Sequence, residues 1–236
     1  MQDHRKIPRS TGSFDRKFVM NYPDIRSLKA GSATGFFITG TDTDVGKTFI
    51  ASRIAQQLRQ QGHRVAPRKP IASGCIRQTD GTLLSEDALA LQFGAKSSES
   101  LDTICPYQFE PALSPQTALE MAKQVVTTQD LVHACETPQN SFKLVEGAGG
   151  FFSPLCSNGL NRDLAVALQI PVIVVVANRL GCLNQALLTL EAIQNCGLTT
   201  HTIVINHVQI ESHNFAEDLH KWTDIQIVQQ KYLVTL

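Results

Sequence analysis

The sequence carries no net charge: 21 basic and 21 acidic side chains cancel over 236 residues. That balance argues against a general affinity for nucleic acid or an anionic membrane, so any anion site has to be built locally. Long hydrophobic runs are missing as well. The stretch from Ile170 to Ala177 falls far short of the roughly 18 to 20 apolar residues that span a bilayer. Paired cysteines are absent. Cys75, Cys105, Cys135, Cys156, Cys182 and Cys196 stand singly, with no C-x-x-C and no secretory leader pattern, which leads us to expect reduced thiols in a soluble, cytoplasmic protein. The seven histidines show neither metal-ligand spacing nor a Ser/His/Asp pattern.

What is present divides at about residue 34. The first thirty residues hold seven basic and three acidic side chains, with Pro8 and Pro23 and little apolar periodicity. They read as a disordered extension over residues 1–34. Asp3, Asp15 and Asp24 speak against a transit peptide, and Met20 offers itself as an alternative start. From Gly35 onward, apolar runs alternate with helical patterns, the signature of βα units. The fold class expected for residues 35–236 is α/β, a single-domain P-loop NTPase-like fold with a mostly parallel sheet and helices on both faces. Strands are predicted at Phe36–Thr39, Arg64–Ala66, Lys143–Val145, Val172–Ala177 and Thr202–Ile205, with a sixth at Ile225–Val228. Helices are predicted at Lys47–Gln61 and Leu183–Cys196, each closed by a glycine, Gly62 or Gly197. Shorter ones are predicted at Ser85–Phe93 and Asn161–Gln169, with Ser85 and Asn161 as side-chain caps. Lys96–Gln116 reads as a long connection that covers substrate.

The chemistry starts where the first strand meets the first helix. Gly40-Thr41-Asp42-Thr43-Asp44-Val45-Gly46-Lys47-Thr48 has the strand before it and the helix after it that a phosphate loop needs. In such a loop backbone N–H groups and the helix N-terminus hold phosphates, Lys47 neutralises β/γ oxygens, and the Thr48 hydroxyl ligates Mg²⁺. Five residues separate Gly40 from Gly46, one more than G-x-x-x-x-G-K-[ST] allows, and Thr41 stands where the first glycine is usual. Alone, the loop supports triphosphate binding and nothing finer.

That same departure resembles the dethiobiotin synthetase family, whose version of the loop is Gly-Thr-Asp-Thr-x-Val-Gly-Lys-Thr. The resemblance continues in Arg68-Lys69-Pro70-Ile71-Ala72-Ser73-Gly74, in Glu86-Asp87-Ala88-Leu89-Ala90-Leu91-Gln92, in Pro106-Tyr107 and Ser114-Pro115, and in Val145-Glu146-Gly147-Ala148-Gly149-Gly150. It ends with Leu180-Gly181-Cys182-Leu183-Asn184 and Asn206, all in family order. It implies an ATP- and Mg²⁺-dependent ligase of biotin biosynthesis that closes a ureido ring on 7,8-diaminopelargonate with CO₂, through a carbamate and its phosphorylated form. It also implies a homodimer with the substrate site at the interface, and no nucleic-acid or membrane partner.

Residue by residue, the resemblance implies Lys47 and Lys69 as the catalytic cations, and Thr48, Asp87 and Glu146 as metal ligands. Asp42, Thr43, Asp44, Val45, Gly46, Lys47, Thr48, Phe49, Glu146 and Asn206 become nucleotide contacts, with Asn206 on the adenine ring. Thr43, Asp44, Ser73 and Gly147 to Gly150 would contact the diamine or carbamate, and Gly181, Cys182, Leu183 and Asn184 its distal carboxylate. After Asn206 the family's Pro-x-Leu-Gly-x-x-Pro stretch is not found, from which we expect a loosely held base. The alternative reading is an NTP-driven positioning switch of the ParA or MinD type. Such switches place a second lysine early in the loop, and Thr41 to Val45 contains none.

Overall fold

In the computed structural model, which describes residues 23–208 and 213–231, six strands form one parallel sheet. They are β1 (Gly35–Gly40), β2 (Val65–Arg68), β3 (Phe142–Gly150), β4 (Val172–Ala177), β5 (Thr200–Asn206) and β6 (Ile227–Gln230), in the order β6-β5-β4-β1-β3-β2. All five pairings are parallel. β4, Val-Ile-Val-Val-Val-Ala, is buried at every position, as a branched apolar run covered on both faces should be. The two-residue period of a strand sorts its side chains. Phe37, Val174, Val176 and Ile205 join one core, and Phe36, Ile38, Ile173, Val175 and Val204 the other.

Helices cover both faces. On one, α1 (Lys47–Gln60) buries Ile50, Ile54 and Leu58 at four-residue spacing, beside α2 (Glu86–Ala95). Gly62, at φ 91°, lets the chain leave α1 in the left-handed region. Ser85 caps α2 by accepting from the Ala88 N–H at 3.2 Å. Four more helices follow: α3 (Leu101–Ile104), α4 (Pro115–Ala122), α5 (Thr128–Ala134) and α6 (Asn161–Leu168). α7 (Cys182–Asn195) and α8 (Phe215–Leu219) complete the chain order.

Three expectations need correction. The long connection at 96–116 holds α3, capped by Ser100, a strand pair joining Ile71–Ala72 to Tyr107–Gln108, and the start of α4, capped by Ser114 with Pro115 in its first turn. These elements are too short to show a period. α6 is not capped by Asn161. Leu160 takes the cap position, its N–H donating to Asp163 at 2.7 Å, and the Asn161 side chain is drawn to β3. Lastly, the extension foreseen for residues 1–34 is built into the molecule from residue 23 on. A single 3-10 turn, Ile25–Ser27, sets Ile25, Leu28 and Ala30 into the core beside α1, and Gln229 of β6 donates its N–H to the Pro23 carbonyl at 2.9 Å. Residues 1–22 lie outside the described part.

Candidate functional site

The site stands at the carboxyl ends of β1, β2 and β3, where parallel sheets gather ligands. Gly46, at φ 87°, opens α1 without a side-chain cap. A Cβ there would be in a disfavoured conformation and would strike the Asn206 amide, which itself donates to the Val45 carbonyl at 3.0 Å. Asn206 thus braces the loop from the neighbouring end of β5. Lys47 is buried and donates to the Asp42 carbonyl at 2.8 Å. Burial, then the nearby Lys69 charge, lower its ammonium pKa to about 8. The Asp42 carboxylate accepts the Thr43 N–H at 2.7 Å and faces Arg179 at 3.7 Å.

Lys69 follows β2, its N–H held by the carbonyl of Ile104 at the end of α3 (2.8 Å). Its ammonium uses all three protons: 2.6 Å to Glu146 Oε1, 2.7 Å to Asp87 Oδ2 and 3.2 Å to the Gly147 carbonyl. Burial opposes the charge, but Glu146 and Asp87 overrule it and hold Lys69 firmly protonated. The Thr48 hydroxyl lies 2.7 Å from both Asp87 Oδ1 and Glu146 Oε1. A hydroxyl has one proton to give, so it can donate to only one of the two carboxylates. Full burial drives Glu146 upward despite Lys69. For Asp87 burial acts upward too, yet the Lys69 charge and its hydrogen bond bring it below its ordinary value. Glu146 is therefore the more basic member of the pair.

The register shows how β3 delivers its glycines. Ile38 pairs with Glu146 and Gly40 with Gly150, so β3 advances four residues (146 to 150) while β1 advances two (38 to 40). The surplus bulges outward, with Gly149 at φ 76°. Ala148 and Gly149 thereby line a cavity of about 630 Å³, together with Thr43, Asp44, Gly46, Lys47, Thr48, Lys69, Ser73, Asp87 and Glu146. The far wall is Ala112 to Pro115 with Ser153 and Pro154, and the Ser73 hydroxyl donates to the Leu113 carbonyl at 2.6 Å.

Other expected residues lie elsewhere. Asp42, Val45, Gly147, Gly150 and Asn206 are not among the residues that line the cavity. Phe49 is 42% exposed under Arg53, and Gly181, Cys182, Leu183 and Asn184 at the start of α7 are outside the cavity lining. Nor are all the amides of the glycine loop bare, because the Ala148 N–H is taken by Asn161 Oδ1 at 3.0 Å and the Gly150 N–H by the Ser153 hydroxyl at 2.8 Å. Asn161 and Ser153 escape a reading of the sequence as site residues, since neither belongs to a motif, and the partners of Asn161 lie 13 and 11 residues away.

The donor set fits a hard divalent cation. Thr48 Oγ1, Asp87 and Glu146 converge, and Glu146 Oε2 is buried without a protein partner, an oxygen-rich half-shell of the kind Mg²⁺ completes with water and phosphate. Among the described residues no cluster of three or more His, Cys, Asp or Glu forms a self-sufficient metal cage.

A family model described as an AAA domain matches residues 34–235. The protein named ATP-dependent dethiobiotin synthetase BioD in Ruthia magnifica is 38% identical over 193 residues, 82% of this chain and 89% of its own. Its namesake in Aeromonas salmonicida is 41% identical over 187 residues, covering 78% and 82%. The one in Rhodopirellula baltica is 34% identical over 213 residues, covering 83% of each. Among solved structures, an ADP-bound nucleotide-binding protein from Archaeoglobus fulgidus aligns with 87% of this chain and 84% of its own at 11% identity and a TM-score of 0.47.

Proposed function

The chain belongs to the dethiobiotin synthetase family, and from that premise we propose how its site performs the family's ATP-dependent ring closure on 7,8-diaminopelargonate. The observation that carries the proposal is Lys69, buried and held by two carboxylates and a carbonyl beside the phosphate loop. Phosphoryl transfer needs little covalent help from a protein. It needs oriented donors and fixed positive charge.

The amides of the loop and the N-terminus of α1 receive the triphosphate, and Lys47 exchanges the Asp42 carbonyl for β/γ oxygens. Thr48, Asp87 and Glu146 would hold Mg²⁺, whose charge offsets that of the phosphates. One substrate amine captures CO₂ as a carbamate between Thr43, Asp44 and the Gly147 to Gly150 bulge. Lys69 and Ser73 steady the carbamate while ATP phosphorylates it. The second amine then displaces phosphate and closes the ring. Asn206 braces the loop with its amide nitrogen and accepts from the adenine amino group with its oxygen. The distal carboxylate is met by the helix start Gly181 to Asn184 of a second copy, where the positive end of the helix dipole suits an anion.

Protein, ATP, Mg²⁺, bicarbonate and 7,8-diaminopelargonate should together yield dethiobiotin and ADP by mass spectrometry. Phosphate release that ignores the diamine would overturn the reading.

A further inference from the structure

We infer that Asn161 is a positioning residue for Lys69, acting through the peptide group between Gly147 and Ala148. This rests on the function proposed above and deepens it. Asn161 is fully buried, and its side chain is spent on the β3 bulge. Oδ1 accepts the Ala148 N–H at 3.0 Å, while Nδ2 donates to the Ala148 carbonyl and, at 3.0 Å, to the Gly150 carbonyl.

The Ala148 N–H and the Gly147 C=O belong to one planar peptide, and no peptide bond among the described residues is cis. In a trans peptide these two groups point in opposite directions. Asn161 therefore grips one edge of a plane whose other edge, the Gly147 oxygen, accepts from the Lys69 ammonium at 3.2 Å. Turning the plane would break both bonds. Accepting from the N–H also polarises the carbonyl, which makes it the stronger acceptor for Lys69.

The third contact matters because the other two are carboxylates, at 2.6 and 2.7 Å. Without the carbonyl, nothing opposes their pull, and the ammonium settles toward them and away from the cavity. The glycine at 147 follows from this arrangement. A Cβ there would overlap Asn161 Oδ1 and come within 3.1 Å of the Phe37 ring. The asparagine is itself fixed, since its N–H donates to the Ser153 carbonyl at 3.1 Å.

The test uses Asn161→Leu, which deletes all three bonds at similar volume, and Gly147→Ala, which displaces Asn161 without altering it and serves should the first variant fail to fold. Each should lower kcat for dethiobiotin formation by about tenfold or more, with KM for ATP within about twofold, because the phosphate loop is untouched. The decisive readout is a cycle with Lys69→Arg. If Asn161 acts through Lys69, adding Asn161→Leu to that background costs less than about threefold further. A full tenfold loss in both backgrounds, or a loss confined to KM, overturns the positioning role. So does an unchanged kcat in a wild-type background that makes dethiobiotin. A wild-type protein that makes none overturns the functional reading and this inference together.

Discussion

Lys47 shows what burying a cation does before its ligand arrives. In the free protein its ammonium is buried near the Lys69 cation. Burial and that charge outweigh the pull of Glu146, Asp87 and Asp44, and its pKa falls to about 8. Since kcat/KM reports the free enzyme, kcat/KM for ATP should decline as pH rises through about 8, while kcat, measured with phosphates beside the lysine, should hold to higher pH. A pH profile of Lys47→Arg, which cannot lose its proton in that range, should lack the limb. Stability moves the other way. The folded pKa lies below the unfolded value, so between about 8 and the usual 10.5 the unfolded chain binds more protons and the fold gains stability as pH rises. Lys47→Met should therefore be at least as stable as the wild type at pH 7 in urea, while losing about 2 to 4 kcal/mol of transition-state stabilisation, the usual cost of one electrostatic donor. A Lys47→Met variant that unfolds more easily would show the lysine to be a structural ion rather than a poised one. Lys69 contrasts with it. Lys69→Met would leave Glu146 and Asp87 without their cation, and loss of one member of a buried ion pair costs about 3 to 5 kcal/mol, which a denaturation midpoint would show.

Among the elements, the segment from Pro23 to Thr34 makes the sharpest demand on the fold. All of it but Thr34 lies ahead of the residues the family model matches, yet Leu28 is fully buried and Ile25 nearly so, and the Gln61 side chain donates to the Leu28 carbonyl at 2.7 Å. Leu28→Ala should cost about 2 to 5 kcal/mol by thermal or urea unfolding, the range for emptying a buried leucine site. A chain starting at residue 34 should lose at least as much, since edge strand β6 also forfeits its bond to Pro23. No change in either would mean the segment merely rests on the surface. The sequence hides this segment for a physical reason. Three apolar residues on and just after one 3-10 turn have no period to detect, and basic neighbours dominate the composition. Where periodicity is strong the reading succeeds. The Val-Ile-Val-Val-Val-Ala run of β4 has the bounds its pattern predicts, and α1 begins at the predicted Lys47 and ends one residue short of the predicted Gln61. α5 falls between these cases. Its capping box of Thr127 and Asp130 was available in the sequence, but seven residues carry too little amphipathic pattern to draw attention to it. The phosphate loop was legible from its spacing and its strand-helix setting. Lys69, Ser73 and Asp87 were legible only through family resemblance, since an isolated lysine, a turn serine and a first-turn acid each have ordinary explanations. Asn161 was not legible, because its partners at 148 and 150 are brought to it by packing.

At the scale of the whole molecule, one copy brings the residues proposed for phosphate chemistry into one cavity and leaves those proposed for the distal carboxylate apart from it. The cavity gathers Lys47, Thr48, Lys69, Asp87 and Glu146 from α1, the residue after β2, α2 and β3, whereas the start of α7 stays outside it. The neighbouring Leu180 is 91% exposed and Leu188 on the same helix 59% exposed. If two copies complete each other's sites, as proposed, an isologous dimer has a definite consequence. Lys47→Ala disables the loop of its own chain, and Asn184→Asp places a negative charge where the partner's substrate carboxylate must sit. In a mixed dimer of the two variants, one site contains both lesions and the other contains neither. Random mixing makes half the dimers mixed, so about a quarter of wild-type activity should return when two separately inactive proteins are unfolded and refolded together. Restored turnover that depends on co-assembly would place Asn184 across the interface. If both variants were inactive alone and the mixture stayed inactive while size-exclusion chromatography showed dimers, each α7 would have to serve its own chain, and the diamine would lie wholly within one copy.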